Sequence, residues 1–192
     1  MFPSFAAYII SSAGLSQSEV EQVCSLAQHK TLLRNEPLLQ QGQVCRHKTF
    51  IIKGLLRTYA IAEDGSEHIL QFSPENTWTL DVESYDQQAP SRFNITAVEP
   101  TEVLQWSRAN FEQLLASLPK LKSFSQQLIS RNIYSSRQRL LTTLSATPEE
   151  KYEDFVRTSP DLLQRLPLRM IASYLGMSLK TLTRIRHAQL HR

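Results

Sequence analysis

Lys180, Thr181, Thr183, Arg184 and Arg186 fall within one short stretch, and their donors suit phosphate oxygens and the O6/N7 edge of guanine. Arg169 and Ser178, just upstream, complete the set of candidate contacts. From Leu166 onward the formal charges are Arg169, Lys180, Arg184, Arg186 and Arg192, five positives and no acid, which leaves 16 bases against 18 acids in residues 1–165. The net charge of +3 therefore conceals a slightly acidic body and a basic C-terminal stretch. Such asymmetry points to a polyanion, most simply nucleic acid. A merely solubilising basic segment is the plainer alternative.

Other chemistry finds little support. His29, His47 and His68 stand alone, whereas a metal barrel of the cupin type places two histidines one residue apart with a Glu and a later His. His187 and His191 lie four apart and could share a helix face, but with no Cys or acid nearby they read as further polar groups beside the polyanion. Cys24 and Cys45 are too few for a disulfide framework or a four-thiolate cluster. Five glycines and scattered acids supply no Ser-His-Asp set, phosphate-cradling loop or paired catalytic carboxylates. No catalytic residue and no metal ligand is expected, and the cofactor is left unknown. No apolar run reaches the roughly 18 residues of a membrane helix. The first basic side chain is Lys30, so Phe5–Ile10 lacks the charged start of a signal peptide. A cytoplasmic chain with no membrane partner follows, and Asn94-Ile95-Thr96 is then a chance glycosylation match.

With 192 residues, 41% of them hydrophobic, the chain can build one large or two small domains. Residues 15–29 have apolar spacings of three to four behind a Ser16-x-x-Glu19 capping box and predict one short helix. Between Thr31 and Trp106 short β-rich runs follow, among them Thr49–Ile52, Leu55–Ile61, His68–Phe72, Phe93–Val98 and Glu102–Trp106. Asp64-Gly65 is the strongest hairpin signal, the dipeptide of a two-residue primed turn. These runs predict a small β-barrel or roll. From Arg108 the period returns to 3.6: Phe111, Leu114 and Leu115 mark one helix, which Pro119 interrupts. Leu121, Phe124, Leu128, Ile129, Ile133, Leu140, Leu141 and Leu144 stripe a second of roughly 25 residues, about 37 Å long at 1.5 Å per residue. That exceeds what a small barrel covers, so part of the stripe must meet the C-terminal domain or the same helix of another subunit. Thr147-Pro148-Glu149-Glu150 starts the next helix with a cap, a first-turn proline and acids on the positive end of the dipole. Met170, Ile171 and Leu175 then give one short apolar face, Gly176 a permissive turn, Ser178 an N-cap, and Leu182 and Ile185 a second inward face. Two short helices so joined form a helix-turn-helix, which small Ala172 lets close up. The bland alternative is a helical hairpin with a solvated basic face.

In this order of roll, long helix and helix-turn-helix the chain resembles the Crp/Fnr family of bacterial transcription regulators over nearly its whole length. Leu39-x-x-Gly42, Thr49-Phe50-Ile51-Ile52-Lys53-Gly54 and the Asp64-Gly65 hairpin are similar to that family's cyclic-nucleotide-binding roll, and Ala172–Ser178 through Arg184-Ile185-Arg186 to its DNA-reading unit. The resemblance implies an α+β fold: an N-terminal antiparallel β-roll (a double-stranded β-helix) in residues 1–118, a long dimerisation helix in 119–145, and an all-α helix-turn-helix domain in 146–192. It implies a homodimer through Leu121, Phe124, Leu128, Ile129 and Ile133, with Lys180 and Arg184 entering the major groove of double-stranded DNA. A small-molecule effector and RNA polymerase are further implied partners. Leu179 stands where some members carry a base-reading arginine, so the sequence preference is expected to differ. Members that bind cyclic AMP carry Gly-Glu-Leu followed by Arg-Ser; here Asn76–Ser84 and Pro90–Asn94 lack the glycine and read Ser-Arg. A one-residue shift in a strand turns a side chain to the opposite face, so Arg92 is expected to point away from a phosphate. Cyclic AMP is therefore not the expected ligand. Trp78, Leu80, Asp81, Glu83, Ser91, Arg92, Phe93 and Asn94 are expected to line or rim the old pocket, for another effector or around a filled core. Iron-sulfur sensing fails on the cysteine count. The alternative function is a barrel-domain small-molecule-binding protein or cupin-like enzyme whose basic C-terminus is incidental.

Overall fold

Adjacent residues of a strand face opposite sides, and in β3 (His47–Lys53) both sides are covered. Phe50 enters an aromatic cluster with Phe5, Trp78, Trp106 and Phe111, whereas Ile51 joins Leu32, Leu39, Leu56, Ile95 and Val103 inside the roll. The computed structural model describes residues 2–190. These divide into two units, residues 2–60 with 71–129 and residues 61–70 with 130–190.

The first unit opens with α1 (Pro3–Ala13) and α2 (Gln17–Ser25). The Phe5–Ile10 run is thus a core helix, with Phe5 and Ile9 buried against the aromatic cluster. The capping box starts α2 as expected, Ser16 Oγ accepting from Glu19 N and Glu19 Oε2 from Ser16 N. This helix ends earlier than the predicted residue 29, because β1 (Gln28–Leu32) takes the following residues into antiparallel pairing with β8 (Thr101–Ser107). Between them lie β2 (Pro37–Leu39), β4 (Leu56–Ile61), β5 (Glu67–Ser73), β6 (Trp78–Thr79), α3 (Val82–Gln87) and β7 (Asn94–Ala97). Two four-stranded sheets result, ordered β1-β8-β3-β6 and β2-β7-β4-β5. The β4–β5 turn is not the two-residue kind. Ala62 N donates to Ser66 O at 2.9 Å and Gly65 N to Ala62 O at 2.9 Å, which leaves a three-residue loop.

After β8, α4 (Arg108–Ser117) lays Phe111 and Leu114 on the core, and α5 (Pro119–Ser145) runs 27 residues, about 40 Å. Pro119 begins this helix, where its missing N–H costs nothing. Leu121, Phe124 and Ser125 are buried in the first unit. Lys48 Nζ donates to Ser125 Oγ at 3.1 Å and sits 4.4 Å from the Phe111 ring centroid, and burial pulls its ammonium down to about 8. From Ile129 to Leu141 every α5 residue except Arg139 is exposed.

Helices α6 (Pro148–Thr158), α7 (Pro160–Arg165), α8 (Leu168–Leu175) and α9 (Leu179–Leu190) make up the rest of the second unit. Ile69, Tyr152, Phe155, Leu166, Met170, Ile171, Ala172, Leu182 and Ile185 are buried apolar residues of this unit. The division therefore differs from one drawn at 118/119 and 145/146: α5 is shared, because its first turns anchor in the roll and its later turns do not. Among the described residues no helix is long and apolar enough to cross a membrane.

Candidate functional site

The helix-turn-helix is built from local capping. Thr147 Oγ1 accepts from Glu150 N, and Glu150 Oε2 accepts from Thr147 N at 2.8 Å, which starts α6 and holds the Glu150 carboxyl below the usual carboxylate range. Gly176 caps α8 with φ +65° and nothing within 4 Å of where a Cβ would stand, so the backbone angle and not space calls for glycine. Ser178 Oγ accepts from Thr181 N at 3.1 Å and starts α9. Leu182 and Ile185 turn inward, and α6, α8 and α9 pack on one another.

The outward face carries what remains. Arg169, Lys180 and Arg184 are exposed, and Arg186 is half-buried. Arg184 lies 3.9 Å from Glu149, at the limit of an ion pair, and this exposed contact is worth little. The hydroxyls are more occupied than their residue types suggest. Thr181 Oγ1 shares a hydrogen bond with Ser178 Oγ at 2.8 Å, and Thr183 Oγ1 donates to Leu179 O at 2.9 Å. Cationic heads are therefore the principal donors facing solvent. His187 is exposed on α9, while His191 lies outside the described residues, so the four-residue pair has no geometry.

Residues 61–70, the tip of the β4–β5 hairpin, belong to this unit. Ser173 of α8 donates to Glu67 O at 2.5 Å and accepts from Ile69 N at 3.1 Å. Arg139 of α5 donates to Ile69 O and Tyr174 O, both at 3.3 Å, and stands 3.9 Å over the Tyr174 ring. Sequence reasoning missed this node. Its partners are far apart in the chain and no local pattern marks them.

Within the first unit the expected effector residues divide between the core, a cavity inside the roll and a second cavity beside α3. Trp78 is corrected from pocket wall to core: it stacks edge-on with Phe50 at 5.2 Å and tilted on Trp106 at 5.2 Å. Two buried aromatic partners give its indole more contact than a polar pocket could. Leu80 borders a cavity of about 180 Å³ inside the roll, together with Leu38, Leu39, Cys45, His47, Thr49, Ile95 and Gln105. Burial raises the Cys45 thiol and lowers the His47 imidazole, with Lys30 and Arg46 adding to the latter. Asp81, Glu83 and Arg92 instead border a separate cavity of about 270 Å³ with Ser84, Ala89 and Pro90. Buried Asp81 caps α3 through Ser84 N and accepts from Ser91 Oγ at 2.6 Å, so both its oxygens are held structurally. Arg92 is exposed and paired with Glu83 at 2.8 Å. Asn94 is buried and accepts from Gln41 N at 3.0 Å, and half-buried Phe93 accepts at its carbonyl from Ser91 Oγ. Leu121 and Phe124 are likewise removed from the dimer stripe, since each is buried in the first unit. Leu128 is partly buried against the same core, and Ile129 and Ile133 stay exposed. Among the described residues no group of three or more His, Cys, Asp or Glu could hold a metal ion.

The model of the cyclic nucleotide-binding domain matches residues 29–117, the roll just described. The transcriptional activator protein anr of Pseudomonas aeruginosa is 26% identical over 171 residues, spanning 81% of this chain and 68% of its own length. The transcriptional activator protein FnrA of Stutzerimonas stutzeri is 25% identical over the same shares. The chain thus carries a cyclic nucleotide-binding domain and is similar over most of its length to regulators of the Crp/Fnr type. The fold agrees with FixK2 from Bradyrhizobium japonicum at a TM-score of 0.74 and 17% identity, covering 86% of this chain and 84% of that one. These matches favour a regulator over the cupin-like alternative.

Proposed function

We propose that this regulator works as a homodimer that binds double-stranded DNA through α9 and takes its signal from the roll. The observation that carries the reading is the α9 surface. Lys180 and Arg184 stand one turn apart and exposed, on a helix whose opposite face is locked by Leu182 and Ile185. A recognition helix needs this combination of a rigid seat and outward donors. The names of the relatives, transcriptional activators, add weight to the transcriptional role, and RNA polymerase and a cytoplasmic setting go with it. The work is binding and not catalysis.

Assembly is carried by α5. Ile129, Ile133, Leu140 and Leu144 recur at four, seven and four residues on the exposed stretch of that helix. The first three fit the d, a and a positions of a heptad seam, and Leu144 lies one residue past the next d. Two subunits joined along it set two α9 helices against half-sites about one DNA turn apart.

Gel shifts against duplexes selected from genomic fragments test the reading, because incidental basic binding vanishes at physiological salt. In that assay Arg184→Ala is expected to cost about 1–3 kcal/mol and to relax preference at one base pair of each half-site, as loss of a guanine contact does. An even loss over all sequences makes Arg184 a phosphate contact instead.

Cyclic AMP does not fit as the signal. The roll cavity of about 180 Å³ is smaller than the ~300–1,000 Å³ of usual ligand pockets, and Arg92 already has a carboxylate partner at the surface. Millimolar cyclic AMP or cyclic GMP is expected to change neither the melting temperature nor DNA affinity. A native-state ligand at a hundredfold over its Kd adds about 2.7 kcal/mol, which a thermal scan shows at once. A clear shift abolished by Arg92→Ala restores the cyclic nucleotide.

A further inference from the structure

Leu179 is an apolar side chain, 48% exposed, at the first position of α9, where recognition helices meet base edges. One exposed leucine is ordinary by itself. The residue four positions on supplies the second observation. Thr183 donates its hydroxyl proton to the Leu179 carbonyl at 2.9 Å, a back-bond within the helix. Its donor is thereby used, and the γ-methyl is left as the part of an exposed side chain that a partner can meet. Residues four apart adjoin on a helix surface. Leu179 and Thr183 therefore form an apolar pair beside the cationic pair Lys180 and Arg184, also four apart.

The major groove offers one apolar feature, the C5-methyl group of thymine. We infer that Leu179 and Thr183 read thymine through that methyl, at one or two positions of each half-site next to the contact made by Arg184. The inference rests on the DNA-binding reading and narrows it, from duplex in general to a half-site bearing thymine at defined places. Water around an exposed leucine and around a thymine methyl is released when the two meet, so the contact discriminates without a hydrogen bond.

The experiment uses the full chain. Duplexes are enriched from a random pool, and each thymine of the enriched half-site is replaced singly by deoxyuridine, which keeps the pairing edge and the O4 acceptor and lacks the methyl. Binding is expected to weaken about fourfold at one or two thymines, the contribution of one methyl-sized group leaving water. Leu179→Ala and Thr183→Ser are expected to bind the thymine duplex more weakly and to lose the thymine–deoxyuridine difference. Thr183→Val keeps the methyl, drops the hydroxyl and is expected to retain that difference. Matching melting temperatures across the three variants show that the unit is folded. An enriched motif whose every thymine tolerates deoxyuridine, or variants that keep the full difference, overturns this inference and leaves the DNA-binding reading standing. If no motif is enriched, both fall.

Discussion

Ile133→Asp is expected to leave a folded chain that sediments as a monomer at micromolar concentration and binds its operator at least about 100-fold more weakly. The residue is 45% exposed in the single chain, so a carboxylate there disturbs neither unit. In a twofold seam the same position meets its own copy. Two unpaired carboxylates then become buried together, and an uncompensated buried charge costs about 3–5 kcal/mol. Loss of the dimer removes the second half-site contact, and a linked second contact ordinarily multiplies affinity by about 10²–10⁴. Ile133→Leu serves as the control and keeps both properties. A persisting dimer, or a monomer with undiminished operator binding, overturns the role given to α5.

Gly54→Ala is expected to lower the melting temperature of the roll by about 10 °C. Gly54 has φ +97°, and a Cβ there would stand 2.6 Å from Pro100 O and 2.7 Å from Thr101 Cα. Both are backbone atoms, so no rotamer change relieves the contact. The left-handed angle adds about 1–2 kcal/mol for any residue with a Cβ, and forced overpacking about 1–3 kcal/mol more. The surroundings are not free to shift: Gly54 N donates to Glu75 Oε1 at 3.0 Å, and Leu55 N to Thr101 Oγ1 at 3.2 Å. A fall of less than about 3 °C would show that the β3–β4 corner can open after all.

The helix-turn-helix was the part most legible in the sequence. Its signals, the Thr147 cap with Pro148 and the acids behind it, the Gly176 turn, the Ser178 cap and the inward Leu182 and Ile185, each involve residues within a few positions of one another. Capping and 3.6-residue periodicity are local physics, and a linear string displays them. The strands were legible for a similar reason, with His47–Lys53 and Leu56–Ile61 lying where the β-rich runs stood. The apolar stripe of α5 was also visible as a stripe.

Which part of the stripe is used, and by what, was a tertiary decision. Leu121 and Phe124 are covered by the roll, whereas Ile129, Ile133, Leu140 and Leu144 are not. Nothing in their spacing distinguishes the two groups. Trp78 shows the same limit: a strand buried on both faces carries no alternation to say whether an indole meets a cavity or a cluster of rings, and it meets Phe50 and Trp106. The three-way node of Ile69, Arg139 and Tyr174, and the grouping of residues 61–70 with the second unit, join segments tens of residues apart. The sequence by itself determined what each segment becomes, because that follows from neighbours along the chain. Only the tertiary structure decided which exposed faces remain for a partner, because exposure is set by whatever distant segment packs there first.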